Sequence, residues 1–219
     1  MGKLIVIEGL DGSGKTTQTT RLYAELLERN IPCKRLKFPN YDEDTSALVK
    51  MYLGGELGKL EDISPYGASL FYTVDRYGSF LRNWKQDYLT DCVILCDRYT
   101  TSNVAHQMSK LPRGHWDDYL EWLEELEYRR VGLPPPNRVI YLDMQPETSR
   151  KLLSQRYAGD ESKRDIHEAN FAYLVKCREA ALYGAKKLGW TVISCCDGNE
   201  PYSCDRIEEM ILDALADIL

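Results

Sequence analysis

Residues 9–16 read Gly9-Leu10-Asp11-Gly12-Ser13-Gly14-Lys15-Thr16, the spacing GxxxxGK followed by a hydroxyl. Glycines at these places let the backbone curl until consecutive N–H groups converge, and a helix starting just beyond adds the positive end of its dipole. Such a curl holds phosphate oxygens. Gly9, Gly12, Ser13, Gly14 and Thr17 would shape it, Lys15 would neutralise the β- and γ-phosphates, and the Thr16 hydroxyl would bind Mg²⁺. At average composition the pattern arises by chance in roughly one chain in a hundred of this length. Chance would not also set it after the apolar run Leu4-Ile5-Val6-Ile7 and before a helical pattern.

Phosphate loops of this kind serve several chemistries, so a second cluster must decide between them. No NKxD guanine motif and no LSGGQ-type signature occurs. What does occur is Val93-Ile94-Leu95-Cys96-Asp97-Arg98-Tyr99. A carboxylate closing such a strand, Asp97, can hold Mg²⁺ through water. Arg98 beside it offers a fixed, permanently charged fork suited to a second phosphate.

The elements that must position these groups follow from the apolar pattern. Unalternated Ile, Val and Leu runs at 4–8, 33–38, 93–97, 138–142 and 191–194 predict strands buried on both faces of a parallel sheet. Helical patterns lie between them, at 16–29, from Ser64-Pro65 onward, at 116–130 and at 203–219. Ser64 is the expected N-cap with Pro65 at the first helical position, and Leu70, Val74, Tyr77, Leu81, Trp84 and Tyr88 form the expected core stripe of that helix. The fold class predicted is α/β, a three-layer α/β/α sandwich around a five-stranded parallel sheet of the P-loop NTPase type, in one domain spanning 1–219. The polar stretch at about 156–166 reads as a small lid.

Length and composition agree with a single folded domain: 219 residues, 43% hydrophobic and 28% charged. A net charge of −6 argues against a broad nucleic-acid-binding face but leaves room for small anions. No run approaches the ~18 apolar residues of a membrane span, and the start is too short and too soon interrupted, at Glu8, for a signal peptide. A cytoplasmic chain without membrane partners is the expectation. Seven cysteines, an odd number with no CxxC pair, read as reduced core residues and not as a metal site.

With these pieces in order the sequence resembles the thymidylate kinase family over nearly its whole length. The resemblance is carried by Gly9 to Thr17, Phe38-Pro39, Leu70-Phe71-Tyr72-Thr73-Val74-Asp75-Arg76-Tyr77, Asp97-Arg98-Tyr99, Gly132-Leu133-Pro134 with Pro136, and Lys163-Arg164-Asp165-Ile166-His167-Glu168. It implies ATP as donor, dTMP as acceptor and a homodimer. It also implies that Phe38, Tyr72 and Arg76 hold the thymine, that Asp11 positions the acceptor sugar and phosphate, that Arg98 grips that phosphate, and that Ser102 and Gln107 contact the base. Tyr72 and Arg76, four apart on a helix, project together, an aromatic face beside a bidentate donor. Some relatives carry an arginine directly after the loop aspartate. Gly12 stands there, so the lid cations Arg156, Lys163 and Arg164 are the candidates to reach the transferring phosphoryl, with Arg156 alternatively stacking on adenine.

Two departures stand out. Tyr41 follows Phe38-Pro39-Asn40 where many relatives have an arginine, and Ala181 stands where a tyrosine is expected. The reaction expected is in-line transfer, ATP + dTMP → ADP + dTDP, with Lys15, Asp11, Arg98, Arg156 and Arg164 as the acting residues. His106 and His167 are left out, since phosphoryl transfer needs placement and charge neutralisation more than a strong base. The rival readings are a kinase for another nucleoside monophosphate or deoxynucleoside, and a nucleotide-dependent switch.

Overall fold

The computed structural model describes residues 2–59, 62–156 and 171–219, with the backbone alone at Arg156. Strands β1 (Lys3–Gly9), β2 (Cys33–Lys37), β3 (Val93–Asp97), β4 (Arg138–Asp143) and β5 (Thr191–Ser194) pair in parallel, in the order β2-β3-β1-β4-β5. This is the expected sheet, every boundary within one residue of expectation. Helices α1 (Lys15–Glu28), α2 (Ala47–Leu53), α3 (Pro65–Ser79), α4 (Lys85–Leu89), α5 (Thr101–His106), α6 (Trp116–Glu124), α7 (Pro146–Arg156), α8 (Phe171–Leu188) and α9 (Cys204–Leu215) make up the helical part.

Alternate residues of the buried strands feed two cores. Ile5, Ile7, Leu95, Ile140 and Leu142 meet Leu22 and Leu26 of α1 and Ile207, Ile211 and Leu215 of α9. Leu4, Val6, Ile94 and Cys96 face the opposite way, against Phe80, Trp84, Tyr88 and Tyr99. Each such side chain contributes about 1.5–3 kcal/mol by leaving water, which explains why the strands carry no polar alternation. Because β1 sits in the middle, the chain runs from it to β2 and β3 on one side and to β4 and β5 on the other. A crevice opens beyond the C-terminal ends at that switch point. The phosphate loop leaves β1 there, Arg98 leaves β3 and Phe38 leaves β2.

The long helix departs from expectation. Its start is as expected: Ser64 Oγ accepts from Gly67 N at 3.0 Å, with Pro65 in the first turn. The expected core stripe, however, is not buried along its length. Leu70, Val74, Tyr77 and Leu81 are 38–51% exposed, whereas Trp84 and Tyr88 are buried. The inward face of α3 is instead Ala68, Ser69, Thr73, Asp75, Arg76 and Ser79. A π-helical turn at Phe80–Trp84 supplies the physical reason. One wide turn rotates everything after it relative to what came before, so a stripe continuous in 3.6-residue spacing is split between solvent and core. A second π turn, Glu125–Arg130, extends α6.

Two shorter strands, β6 (Cys196–Asp197) and β7 (Glu200–Pro201), form an antiparallel pair that the sequence pattern does not announce. Cys96, Cys177, Cys195 and Cys196 are buried, and all seven cysteines are unpaired. Ala181 is fully buried in a small cluster with Ala105 and Tyr141, and a side chain as large as tyrosine there would overpack that core. Among the described residues no helix is long and apolar enough to cross a membrane.

Candidate active site

Helix α1 begins without a side-chain cap. Its N-cap is Gly14, in the left-handed conformation at φ +86, and a Cβ there would meet no atom within 4 Å. The first intrahelical bond is Gln18 N to Gly14 O at 2.9 Å, so the N–H groups of Lys15, Thr16 and Thr17 are not used by the helix. An uncapped helix end with unused donors fits a phosphate group. Ser13 N donates to Leu10 O at 3.1 Å and closes the turn.

Lys15 is buried and donates to Leu10 O at 2.7 Å, with Asp11 Oδ1 3.8 Å away. Thr16 Oγ1 donates to Asp97 Oδ2 at 2.6 Å, joining the loop to the end of β3. These are hard oxygen donors, and no cluster of three or more His, Cys, Asp or Glu surrounds them among the described residues. The set suits Mg²⁺, which takes one or two protein ligands and completes its shell with phosphate and water.

Packing explains why position 12 is a glycine. Its φ is +80, and a Cβ would lie 2.7 Å from Ser149 O and 2.8 Å from Leu153 Cγ of α7. Ser149 Oγ also donates to Asp11 O. The loop is thus clamped against α7, and no side chain fits at position 12. Gly12→Ala is expected to cost about 2 kcal/mol of stability through strain and overpacking, read as a lowered Tm. An unchanged Tm would show that α7 yields there.

Arg98 is the hub. It sits in the left-handed region at φ +68, a strained conformation for a residue with a side chain. Its Nη2 donates to Asp11 Oδ1, and its Nη1 lies 3.2 Å from Glu8 Oε1, 3.3 Å from Ser102 Oγ and 3.2 Å from His106 Nε2. Glu8, fully buried, also accepts from Gly9 N (3.0 Å), Thr101 Oγ1 (2.8 Å) and Ser102 Oγ (2.7 Å). Burial opposes ionisation of Asp11, but Arg98 and then Lys15 outweigh it and hold the carboxyl below the usual carboxylate range. Burial, then the like charge of Arg98, brings Lys15 down to about 8 against the pull of Asp11, Asp97 and Glu8. Arg98 itself is raised: burial is outweighed by Asp11, Glu8 and Asp97.

Two adjoining cavities receive the remaining candidates. One is walled by Asp11, Gly12, Gly14, Lys15, Thr16, Thr17 and Asp97, with Lys37, Leu152 and Leu153. The other is walled by Phe38, Tyr72, Arg76, Ser102 and Gln107, with Asn103 and His106. Asp11, Phe38, Pro39, Tyr41 and Arg98 line both, so they form the partition. Asp97 touches the first cavity alone; Gly9 and Ser13 line neither. Arg76, expected as a bidentate donor, lines the second cavity but is buried and ion-paired with Glu127. Gln107 Oε1 accepts from Lys110 Nζ at 2.9 Å. Tyr41 reaches the partition on a loop that Asp75 holds, accepting from Asn40 N (3.2 Å) and Thr45 Oγ1 (2.8 Å). The Arg156 side chain and Lys163, Arg164, Asp165, His167 and Glu168 lie outside the described residues, as does most of the stretch expected to be a lid.

Sequence reasoning passed over Glu8, Asn103, Glu127 and Lys37. Glu8 alone left a signal: a carboxylate ending an apolar strand must be paired if buried. Asn103 Nδ2 is buried without a partner among the described residues, beside the second cavity.

Two chambers meeting at a cation between a phosphate loop and a pocket with aromatic and amide walls suit the union of two nucleotides. Comparison with known proteins agrees. The family model described as thymidylate kinase matches residues 7–201. A thymidylate kinase of Mycobacterium tuberculosis is 31% identical over 169 residues, covering 75% of this chain and 77% of the relative. That of Arabidopsis thaliana is 28% identical over 216 residues, covering 97% and 72%. Among solved structures, a thymidylate kinase from Candida albicans superposes with a TM-score of 0.71 over 99% of this chain and 92% of the other, at 22% identity, a likeness of fold. The chain belongs to the thymidylate kinase family.

Proposed function

We propose that the protein transfers the γ-phosphoryl group of Mg-ATP directly to dTMP, giving ADP and dTDP. The observation that carries this reading is the partition itself: Arg98 and Asp11 face both the cavity behind Lys15 and the cavity holding Phe38, Tyr72 and Arg76. Two phosphate-bearing ligands placed end to end across it have their reacting atoms side by side, and much of the barrier falls to placement alone. The uncapped N–H groups of α1 and Lys15 bind the donor phosphates. Arg98, a two-pronged donor, grips the acceptor phosphate, and Asp11 sets the fork's angle. Thr16 and Asp97 would hold the Mg²⁺, whose role when bound is to neutralise charge on the β- and γ-phosphates. Tyr72 and Phe38 offer ring faces to the base, with Arg76, Ser102 and Gln107 along its edge.

Phosphate grip in the second cavity falls on Arg98, since Tyr41 occupies the partition where many relatives have an arginine. Gly12 cannot carry a cation, so Arg156 at the end of α7, or Lys163 or Arg164 beyond it in the chain, supplies it. Arg156→Ala and Arg164→Ala are then expected to lower kcat, one or both by about 10²-fold or more. If both leave kcat intact, this assignment is wrong. The exposed apolar stripe Leu70, Val74, Tyr77 and Leu81 supports a homodimer joined along α3, to be read by light scattering.

The decisive experiment is ADP release from Mg-ATP with a panel of acceptors: dTMP, dUMP, dCMP, CMP and thymidine. The reading expects dTMP to stimulate turnover most. Preference for another acceptor would move the protein to a sister activity, and nucleotide binding without acceptor-stimulated turnover would make it a switch.

A further inference from the structure

Glu127 lies on the second π turn, 51 positions from Arg76, yet the two meet in the interior. Both side chains are almost wholly buried, at 0% and 2% exposure. Arg76 Nη2 donates to Glu127 Oε1, Arg76 Nη1 reaches Tyr99 O at 3.5 Å, and Thr73 Oγ1 donates to Glu127 Oε1 at 2.8 Å. Arg76 at the same time lines the second cavity.

As a device for stability this pair is poor. Taking two charges out of water costs more than an imperfect pairing returns. Here Arg76 Nε and Glu127 Oε2 are buried without a partner among the described residues. A wide helical turn, itself uncommon and often found at functional sites, brings the carboxylate inward at this point.

We infer that Glu127 is the positioning residue for base recognition, holding Arg76 from behind so that the cavity wall presents a directional donor with no net charge. The inference rests on the functional reading above. A guanidinium left uncompensated at this wall would attract a phosphate as readily as a base. With its charge cancelled by Glu127 it favours a neutral hydrogen-bond acceptor, the carbonyl edge of a pyrimidine, and so fixes which end of the acceptor enters first. The phosphate is left to Arg98 at the partition.

The test is a double-mutant cycle on kcat/KM for dTMP with Arg76→Met, Glu127→Gln and the double variant, alongside KM for ATP and the dTMP-to-dCMP selectivity ratio. Arg76→Met is expected to lose about 10- to 100-fold and Glu127→Gln about 10-fold, on the scale of a lost hydrogen bond to a charged group. The double variant should lose no more than Arg76→Met alone, because Glu127 has nothing left to position. Selectivity should fall in each variant while KM for ATP holds. Glu127→Gln leaves a lone buried charge and risks unfolding. Glu127→Asp keeps the charge and the fold, draws the guanidinium back by one methylene, and should still raise KM for dTMP and lower selectivity. Folded Glu127→Asp or Glu127→Gln with wild-type KM and selectivity overturns the inference, as does a double variant whose loss is the product of the two singles. Wild-type protein unresponsive to dTMP would instead remove the functional reading, and this inference with it.

Discussion

Arg98→Met is expected to lower kcat/KM for dTMP by about 10³-fold or more, the scale of removing a preorganised charge from phosphoryl transfer. Arg98→Lys should recover part of the loss, since it restores the charge but not the fork. The substitution also strips Glu8, fully buried, and Asp11, part-buried, of their shared partner. Removing one side of a buried pairing costs about 3–5 kcal/mol of stability, so Tm must be recorded with the kinetics. The pH dependence separates the two effects. In the wild type, Arg98 and Lys15 depress the Asp11 carboxyl, and that stabilisation is present above the unfolded carboxylate value and lost as pH falls through the folded one. Without Arg98, burial gains ground and the folded value moves up. The stability gap between wild type and variant should therefore narrow from pH 7 towards pH 4. A gap constant across that range would mean that Asp11 does not depend on Arg98 for its ionisation.

Lys15→Met should be of similar size, about 10³-fold or more in kcat/KM for ATP. A subtler expectation comes with it. Lys15 in the free protein is brought to about 8 by burial and by Arg98, so it sheds its proton as pH rises through that value. A neutral amine does not attract a triphosphate, and ATP affinity should drop above about pH 8 in the wild type. Bound phosphates favour the charged form and oppose the change. Titration of a non-hydrolysable ATP analogue between pH 7 and 9.5 reads the effect, which should vanish in Lys15→Met. An affinity independent of pH in the wild type would show that Lys15 stays charged throughout.

How far the sequence reaches depends on which physical rule governs each residue. The strands were legible because burial on both faces leaves an unbroken apolar run. The phosphate loop was legible because few other residues allow its curl. Asp97 and Arg98 followed from standing at the end of a recognised strand. Beyond local rules, the reading fails. Leu70, Val74, Tyr77 and Leu81 keep helical spacing with Trp84 and Tyr88, and nothing in their identities reveals the π turn that parts them. Glu127 stands in Glu124-Glu125-Leu126-Glu127-Tyr128-Arg129-Arg130, among charges that look uniformly solvated, and only the position of Arg76 in space sets it apart. Gly12 looked like a missing arginine; the contact of Ser149 and Leu153 shows a place where any side chain collides. Each of these is a long-range packing fact, which periodicity does not encode.

The bond between Arg98 and Asp11 has a bearing on how the substrates are bound. Both residues line both cavities, so a phosphate on either side pulls on the guanidinium and loosens that bond, and the later arrival meets a fork already eased. Each substrate is then expected to tighten the hold on the other, by equal factors, because coupling between binding free energies is reciprocal. The enzyme would favour the filled ternary complex over either half-loaded state, and so would seldom expose ATP to water with no acceptor in place.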